Sequence, residues 1–174
     1  MLETVVLVNE QDEVIGSMEK MEAHQKGLLH RAFSVFIHQN GKILLQQRSL
    51  NKYHSSGLWT NTCCSHPRLD ESLANAGSRR LKEEIGIDCK VKPHFHFIYK
   101  AKLDGGLIEN ELDYVLFGSY TGEIHPNADE VMAYKWMDWS DFVEDISLRP
   151  ERYTAWLQIL VTDYKSYIEE ILFS

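Results

Sequence analysis

Cysteine is scarce in this chain, and so is positive charge. There are three cysteines, two of them adjacent at Cys63 and Cys64, and an odd set of this kind does not make a disulfide framework. A reducing, cytoplasmic setting is expected. Lysine and arginine number 18 against 26 aspartates and glutamates, for a formal net charge of −8. That balance excludes generic nucleic-acid binding, which needs a basic face. No apolar run approaches the ~20 residues of a membrane-spanning helix, so no membrane role is expected. The opening MLETVVLVNEQDE is too acidic, and its apolar run too short, for a secretory or transit leader. Repeats, low-complexity stretches and linkers are missing as well, so no domain boundary is drawn. What remains is 174 residues with 44% hydrophobic and 25% charged content, and residues 1–174 read as a single globular domain.

The chain alternates strand signals with helical ones. Thr4 to Val8 and Val14 to Met18 read as a hairpin around a polar turn. Ala32 to His38 and Lys42 to Gln47 read as a second, joined at Asn40-Gly41, and Gly57 to Cys64 as an extended segment. From Ser72 to Ile85 the apolar positions Leu73, Gly77, Leu81 and Ile85 recur at helical spacing, with Asp70 as N-cap and Gly86 as stop. Lys90 to Lys102 and Glu109 to Tyr120 are strand-like and linked by a turn at Asp104-Gly105-Gly106, and Val131 to Trp139 predicts another strand. Arg152 to Leu172 predicts one closing helix. The pattern is α+β, with helices packed on mixed sheets.

Chemistry concentrates between Asn61 and Ile87, where Cys64 and His66 precede a helix ending in Glu83 and Glu84. A thiol, an imidazole and hard carboxylates so close together resist burial unless they have work to do. A metal-assisted active site is the leading reading.

This helix resembles a Nudix box: Glu71, Arg79, Leu81, Glu83, Glu84, Gly86 and Ile87 fall on the family pattern. Ser65 stands where the pattern has glycine, and Arg80 where it has glutamate. The usual box holds Mg²⁺ on carboxylates against a diphosphate, so Arg80 weakens the metal cluster but pairs well with an anion. Across nearly its whole length the chain is similar to the type I isopentenyl-diphosphate isomerases, a branch of the Nudix superfamily. The matching pieces are Glu19-Lys20 with His24, His30, Arg48 to Lys52, Asn61 to Pro67, Tyr99, Glu109-Asn110-Glu111 and Trp156.

The resemblance implies a Nudix-type fold and a set of site residues, and each has a plainer alternative. His24 and His30 would pass as surface histidines. With His66, Glu109 and Glu111 they form three imidazoles and two carboxylates suited to Zn²⁺ or Mn²⁺. Glu109 and Glu111 would equally make a solvated strand edge, since residues two apart share one face. Cys64 would pass as a core thiol, Tyr99 as a strand aromatic, and Trp156 as part of an apolar helix face. By resemblance Cys64 is the base, Glu111 with Tyr99 the acid, and Trp156 the stabiliser of a carbocation. Lys20, Arg48, Lys52 and Arg80 gather on the diphosphate, with Mg²⁺ held at Glu84. Cys63 and Cys89 are assigned to packing.

The implied activity is interconversion of isopentenyl and dimethylallyl diphosphate by protonation and deprotonation, performed by a monomer on a small-molecule diphosphate in isoprenoid biosynthesis. A pyrophosphohydrolase of nucleoside diphosphate derivatives and a non-catalytic binding module are the alternatives. Arg80 and Cys64 argue against the first, and the joint presence of Cys64 and Glu111 against the second.

Overall fold

The computed structural model describes residues 2–174, which build one nine-stranded sheet with helices on both faces. The path β2-β1-β3-β4-β5 joins β1 (Thr4–Val8), β2 (Val14–Glu19), β3 (His30–Gln39), β4 (Lys42–Arg48) and β5 (Trp59–Thr60). β3 is the hub. It takes β6 (Cys63–Ser65) antiparallel and β8 (Ile108–Ser119) parallel, while β8 also pairs β7 (Lys92–Lys102), and β9 (Val131–Asp138) pairs β4.

Strand alternation explains why β3 needs cover on both sides. Phe33, Val35 and Ile37 point into a core under α2 (Leu73–Ile85), with Ala76, Leu81 and Ile85. Phe36 points the other way, into a core shared with Phe142, Trp156, Leu157 and Ile168. Those residues come from α3 (Trp139–Leu148), α4 (Ala155–Asp163) and α5 (Lys165–Leu172). Among the described residues no helix is long and apolar enough to cross a membrane.

Most predicted elements are present, with four corrections. The N-cap of α2 is Ser72, whose hydroxyl accepts from Asn75 N; Asp70 instead takes a left-handed φ of 65° in the preceding turn. The single C-terminal helix is two, interrupted at Tyr164. The extended segment before Cys64 breaks at Asn61 and Thr62, whose side chains bond to the backbone of β3 and β4. Trp139 starts a helix rather than ending a strand. Two helices went unread. The seven-residue α1 (Lys20–Lys26) is too short to show periodicity, and α3 is ten residues long. Gly86 does stop α2, at φ 72°, where a Cβ would lie 2.1 Å from His125 O.

Candidate active site

Sheet register brings three predicted residues together. His30 on β3 and Tyr99 on β7 are the cross-strand partners of Glu111 on β8. The Tyr99 hydroxyl donates to Glu111 Oε1 at 2.6 Å, and Glu111 Oε2 lies 3.1 Å from His30 Nε2 and 2.9 Å from His66 Nε2. Glu109 shares that face of β8. Both carboxylates are only 4% exposed, which rules out a solvated strand edge.

α1, capped by the Glu19 carboxylate, presents His24 to the same point. His24 Nδ1 bonds to Lys20 O at 2.7 Å and His30 Nδ1 to Leu28 O at 2.9 Å. A carbonyl only accepts, so each ring carries its proton on Nδ1 and turns Nε2 inward. Neither ring is at the surface: both are fully buried. Among the described residues His24 Nε2 and Glu109 Oε2 have no hydrogen-bond partner. Ligand atoms of His24, His30, His66 and Glu111 all lie within 4.8 Å of one another. Imidazole lone pairs facing a carboxylate oxygen repel unless a proton or a metal ion lies between them. With borderline nitrogen donors and hard oxygen, the set fits a divalent metal ion.

The protonation pattern follows from burial and neighbours. Burial pushes His66 down to about 4 and also lowers His24. Burial opposes charge on His30 too, but Glu111 outweighs it and raises that ring. For Glu111 burial works upward, and the bonds to His30 and His66 overcome it, holding the carboxyl well below its usual range. Glu109 goes well above that range, through burial first and the charge of Glu111 second. Burial and the same carboxylates raise Tyr99, so its hydroxyl stays a donor.

A second wall carries the thiol. β6 sets Cys64 opposite Ser34 of β3. Trp156 Nε1 donates to Cys64 Sγ at 3.0 Å, and the thiol points to Asn61 Oδ1 at 3.2 Å. Burial pushes this thiol up to about 12. Cys63 is fully buried in the α2 core and Cys89 is 8% exposed there, both in packing roles.

The cations form the third side. Arg80 Nη2 donates to Glu84 Oε1 at 2.7 Å and Nη1 to Glu83 Oε2 at 2.5 Å. Lys52 pairs with Glu130, and Lys20 reaches Glu3 at 2.5 Å with its ammonium 4.8 Å from the Tyr53 ring centre. The Arg48 guanidinium is 5.4 Å from the Trp156 ring. All four cations line one pocket with Glu84, Glu109, Glu111, Tyr99, His66, Cys64 and Trp156. The cavity they enclose is about 60 Å³.

Sequence reading missed Tyr53, His54, Asp113 and Glu130, which line this pocket too. Asp113 had a signal, because it extends the Glu109–Glu111 alternation by one more step along β8. Tyr53 and His54 lie in an irregular loop, where spacing carries no information.

The NUDIX domain pattern matches residues 28–157. Among curated relatives, isopentenyl-diphosphate Delta-isomerase 2 of Aromatoleum aromaticum is 48% identical over 158 residues, covering 90% of this chain and 84% of the relative. The isopentenyl-diphosphate Delta-isomerases of Burkholderia multivorans and Pectobacterium atrosepticum are 44% and 46% identical, covering 92% and 95% of this chain and 92% and 93% of theirs. A solved Deinococcus radiodurans structure aligns with TM-score 0.74 at 17% identity, over 91% of this chain and 97% of that one. A MutT protein from Methanosarcina mazei aligns at 0.63 and 21%, over 80% and 95%. These two likenesses speak for the fold, which is Nudix-type α+β. By sequence and by fold, the chain belongs to the NUDIX superfamily and, within it, to the isopentenyl-diphosphate Delta-isomerase family.

Proposed function

We propose that this enzyme interconverts isopentenyl diphosphate and dimethylallyl diphosphate by a 1,3-allylic proton shift. The observation that carries the reading is one small pocket with a Tyr99–Glu111 pair on one wall, a Trp156–Cys64 pair on another, and four cations in its lining.

The Tyr99–Glu111 pair delivers a proton to the terminal alkene carbon, leaving a tertiary carbocation. The electron-rich face of Trp156 stabilises that cation. Cys64 removes a proton from the neighbouring methylene, and the C–H electron pair becomes the new double bond. The resting site holds Cys64 as the thiol, since burial keeps it near 12. That form is the acid for the reverse direction. The Trp156 N–H pointing at Sγ favours the thiolate needed for the forward one. The rings of Phe33, Tyr99 and Trp156 in the pocket lining limit capture of the cation by solvent.

Lys20, Arg48, Lys52 and Arg80 hold the diphosphate, whose binding energy positions the hydrocarbon. Each of Lys20, Lys52 and Arg80 is already paired with a carboxylate, so diphosphate binding exchanges one anion for another. Glu84 would hold Mg²⁺ on the diphosphate; His24, His30, His66, Glu109 and Glu111 would hold Zn²⁺ or Mn²⁺. Those ions supply positive charge that neutralises the diphosphate and biases the acid toward release of its proton. A hydrolase reading is disfavoured because Arg80 stands where the box has a glutamate, which removes one metal-binding carboxylate, and because hydrolysis has no use for Cys64. We place the activity in isoprenoid biosynthesis in the cytoplasm, and read the chain as a monomer with residues 1–174 acting as one domain. Three free thiols support a reducing compartment.

The test is incubation with isopentenyl diphosphate and Mg²⁺ in D₂O, read by NMR. Dimethylallyl diphosphate with deuterium in a methyl group is expected. Released phosphate without the isomer would move the hydrolase to the front.

A further inference from the structure

Glu109 does not group with the four ligand atoms around Glu111. Its carboxylate groups instead with His24 and His54, each offering an atom within 4.8 Å of the others. All three side chains are buried, at 4% exposure for Glu109, 0% for His24 and 3% for His54. His54 Nε2 lies 3.7 Å from Glu109 Oε1, too long for a hydrogen bond. Two atoms on one cation with bonds of about 2.1 Å stand about 3.4 Å apart in a tetrahedral site and about 4.2 Å apart when opposed. The observed gap falls between these. His24 Nε2 and Glu109 Oε2, two of the buried polar atoms without a hydrogen-bond partner among the described residues, both belong to this triad.

The loop around His54 is held so that the ring faces inward. Arg48 Nη2 donates to His54 O at 3.2 Å, and Ser55 N donates to Asp104 Oδ2 at 3.1 Å. Ser55 takes φ 52°, a left-handed conformation that a non-glycine residue rarely adopts. His54 Nδ1 meets Ser55 Oγ at 3.0 Å, and as acceptor that hydroxyl leaves the Nε2 lone pair facing Glu109.

We propose that His54 is a fourth imidazole of the cation site. With His24 and Glu109 it forms a second station for a transition-type divalent ion, beside the station of His24, His30, His66 and Glu111. The proposal rests on the reading that the latter group holds such an ion. His24 has a single inward lone pair, so the stations share one ion rather than holding two.

The experiment uses the full chain stripped with chelator. Zn²⁺ affinity is measured by competition with a chromophoric chelator, and Co²⁺ loading by its visible spectrum. His54→Phe, which keeps a ring in the space, is expected to weaken Zn²⁺ by about 10- to 100-fold and to change the Co²⁺ bands. Unchanged affinity and spectrum would overturn the proposal. If the variant does not fold, long-range ¹H–¹⁵N NMR of the wild type decides: Zn²⁺ must shift the His54 Nε2 resonance, and a static resonance overturns the assignment. A wild type that takes up no Zn²⁺ overturns both this inference and the metal reading beneath it. Because the readout is binding, failure of the isomerase assay is a separate result.

Discussion

Arg80→Met tests the departure that separates this helix from an ordinary Nudix box. The side chains of Arg80 and Glu84 are 14% and 5% exposed and meet at 2.7 Å. Removing the guanidinium leaves Glu84 with one partner, Gln46 Nε2 at 3.2 Å, and leaves Glu83 and Glu130 nearby without it. Two unit charges 4 Å apart interact by about 4 kcal/mol at the effective dielectric of a protein site. Breaking one half of a buried pair costs about 3–5 kcal/mol, because the remaining charge is stranded. For a chain of this size that lowers Tm by roughly 6–20 °C. Urea and thermal unfolding at pH 7 are the assays. Adding Glu84→Gln should return most of the loss, since the stranded charge is then gone; Mg²⁺ with pyrophosphate should stabilise the wild type but not Arg80→Met. A single-variant cost below about 1 kcal/mol, or a double variant worse than Arg80→Met, would refute the reasoning.

Other outcomes follow from the same geometry. Cys64→Ala and Glu111→Gln should each lower isomerisation by at least about 100-fold with near-UV dichroism unchanged; activity within tenfold of wild type would reassign the acid and the base. Gly86→Ala forces a Cβ to 2.1 Å from His125 O at φ 72° and should cost about 2 kcal/mol or more in urea unfolding. A loss under about 0.5 kcal/mol would mean that the segment at His125 moves freely. Glu71 is held below its usual range, chiefly by its hydrogen bond from Arg79. Its unfolded form therefore takes up a proton first as pH falls, so its stabilisation is full above the unfolded value of about 4.3 and drains away below it. Glu71→Gln should flatten acid unfolding in that window, and an unaltered acid limb would dismiss the pair.

Sequence carried the fold where its signals were local. Asn40 and Gly41, both at positive φ, make the hairpin turn that their dipeptide predicts, and Gly86 ends α2 as expected. Asp70 misled because aspartate suits both an N-cap and a left-handed turn, and only the chain's path selects between them. Tyr164 breaks the C-terminal helix without glycine or proline to mark it. In the site, the resemblance supplied names that patterning alone left ambiguous: Trp156 is core by period and pocket by position. His54 was illegible because an irregular loop delivers it, and no period reports where such a loop turns inward.

The pairing of Tyr99, Glu111 and His30 across β7, β8 and β3 limits how this chain can change length. One residue inserted between Leu107 and Glu111, if absorbed into the strand, would send Glu111 to the opposite side of the sheet. The same insertion at Gly105-Gly106, where a Cβ meets nothing within 4 Å, would be taken up as slack. Length variation that preserves activity should therefore collect in the turns, and the strands should tolerate substitution far better than insertion. A library of single-residue insertions, selected for turnover, would trace that boundary residue by residue.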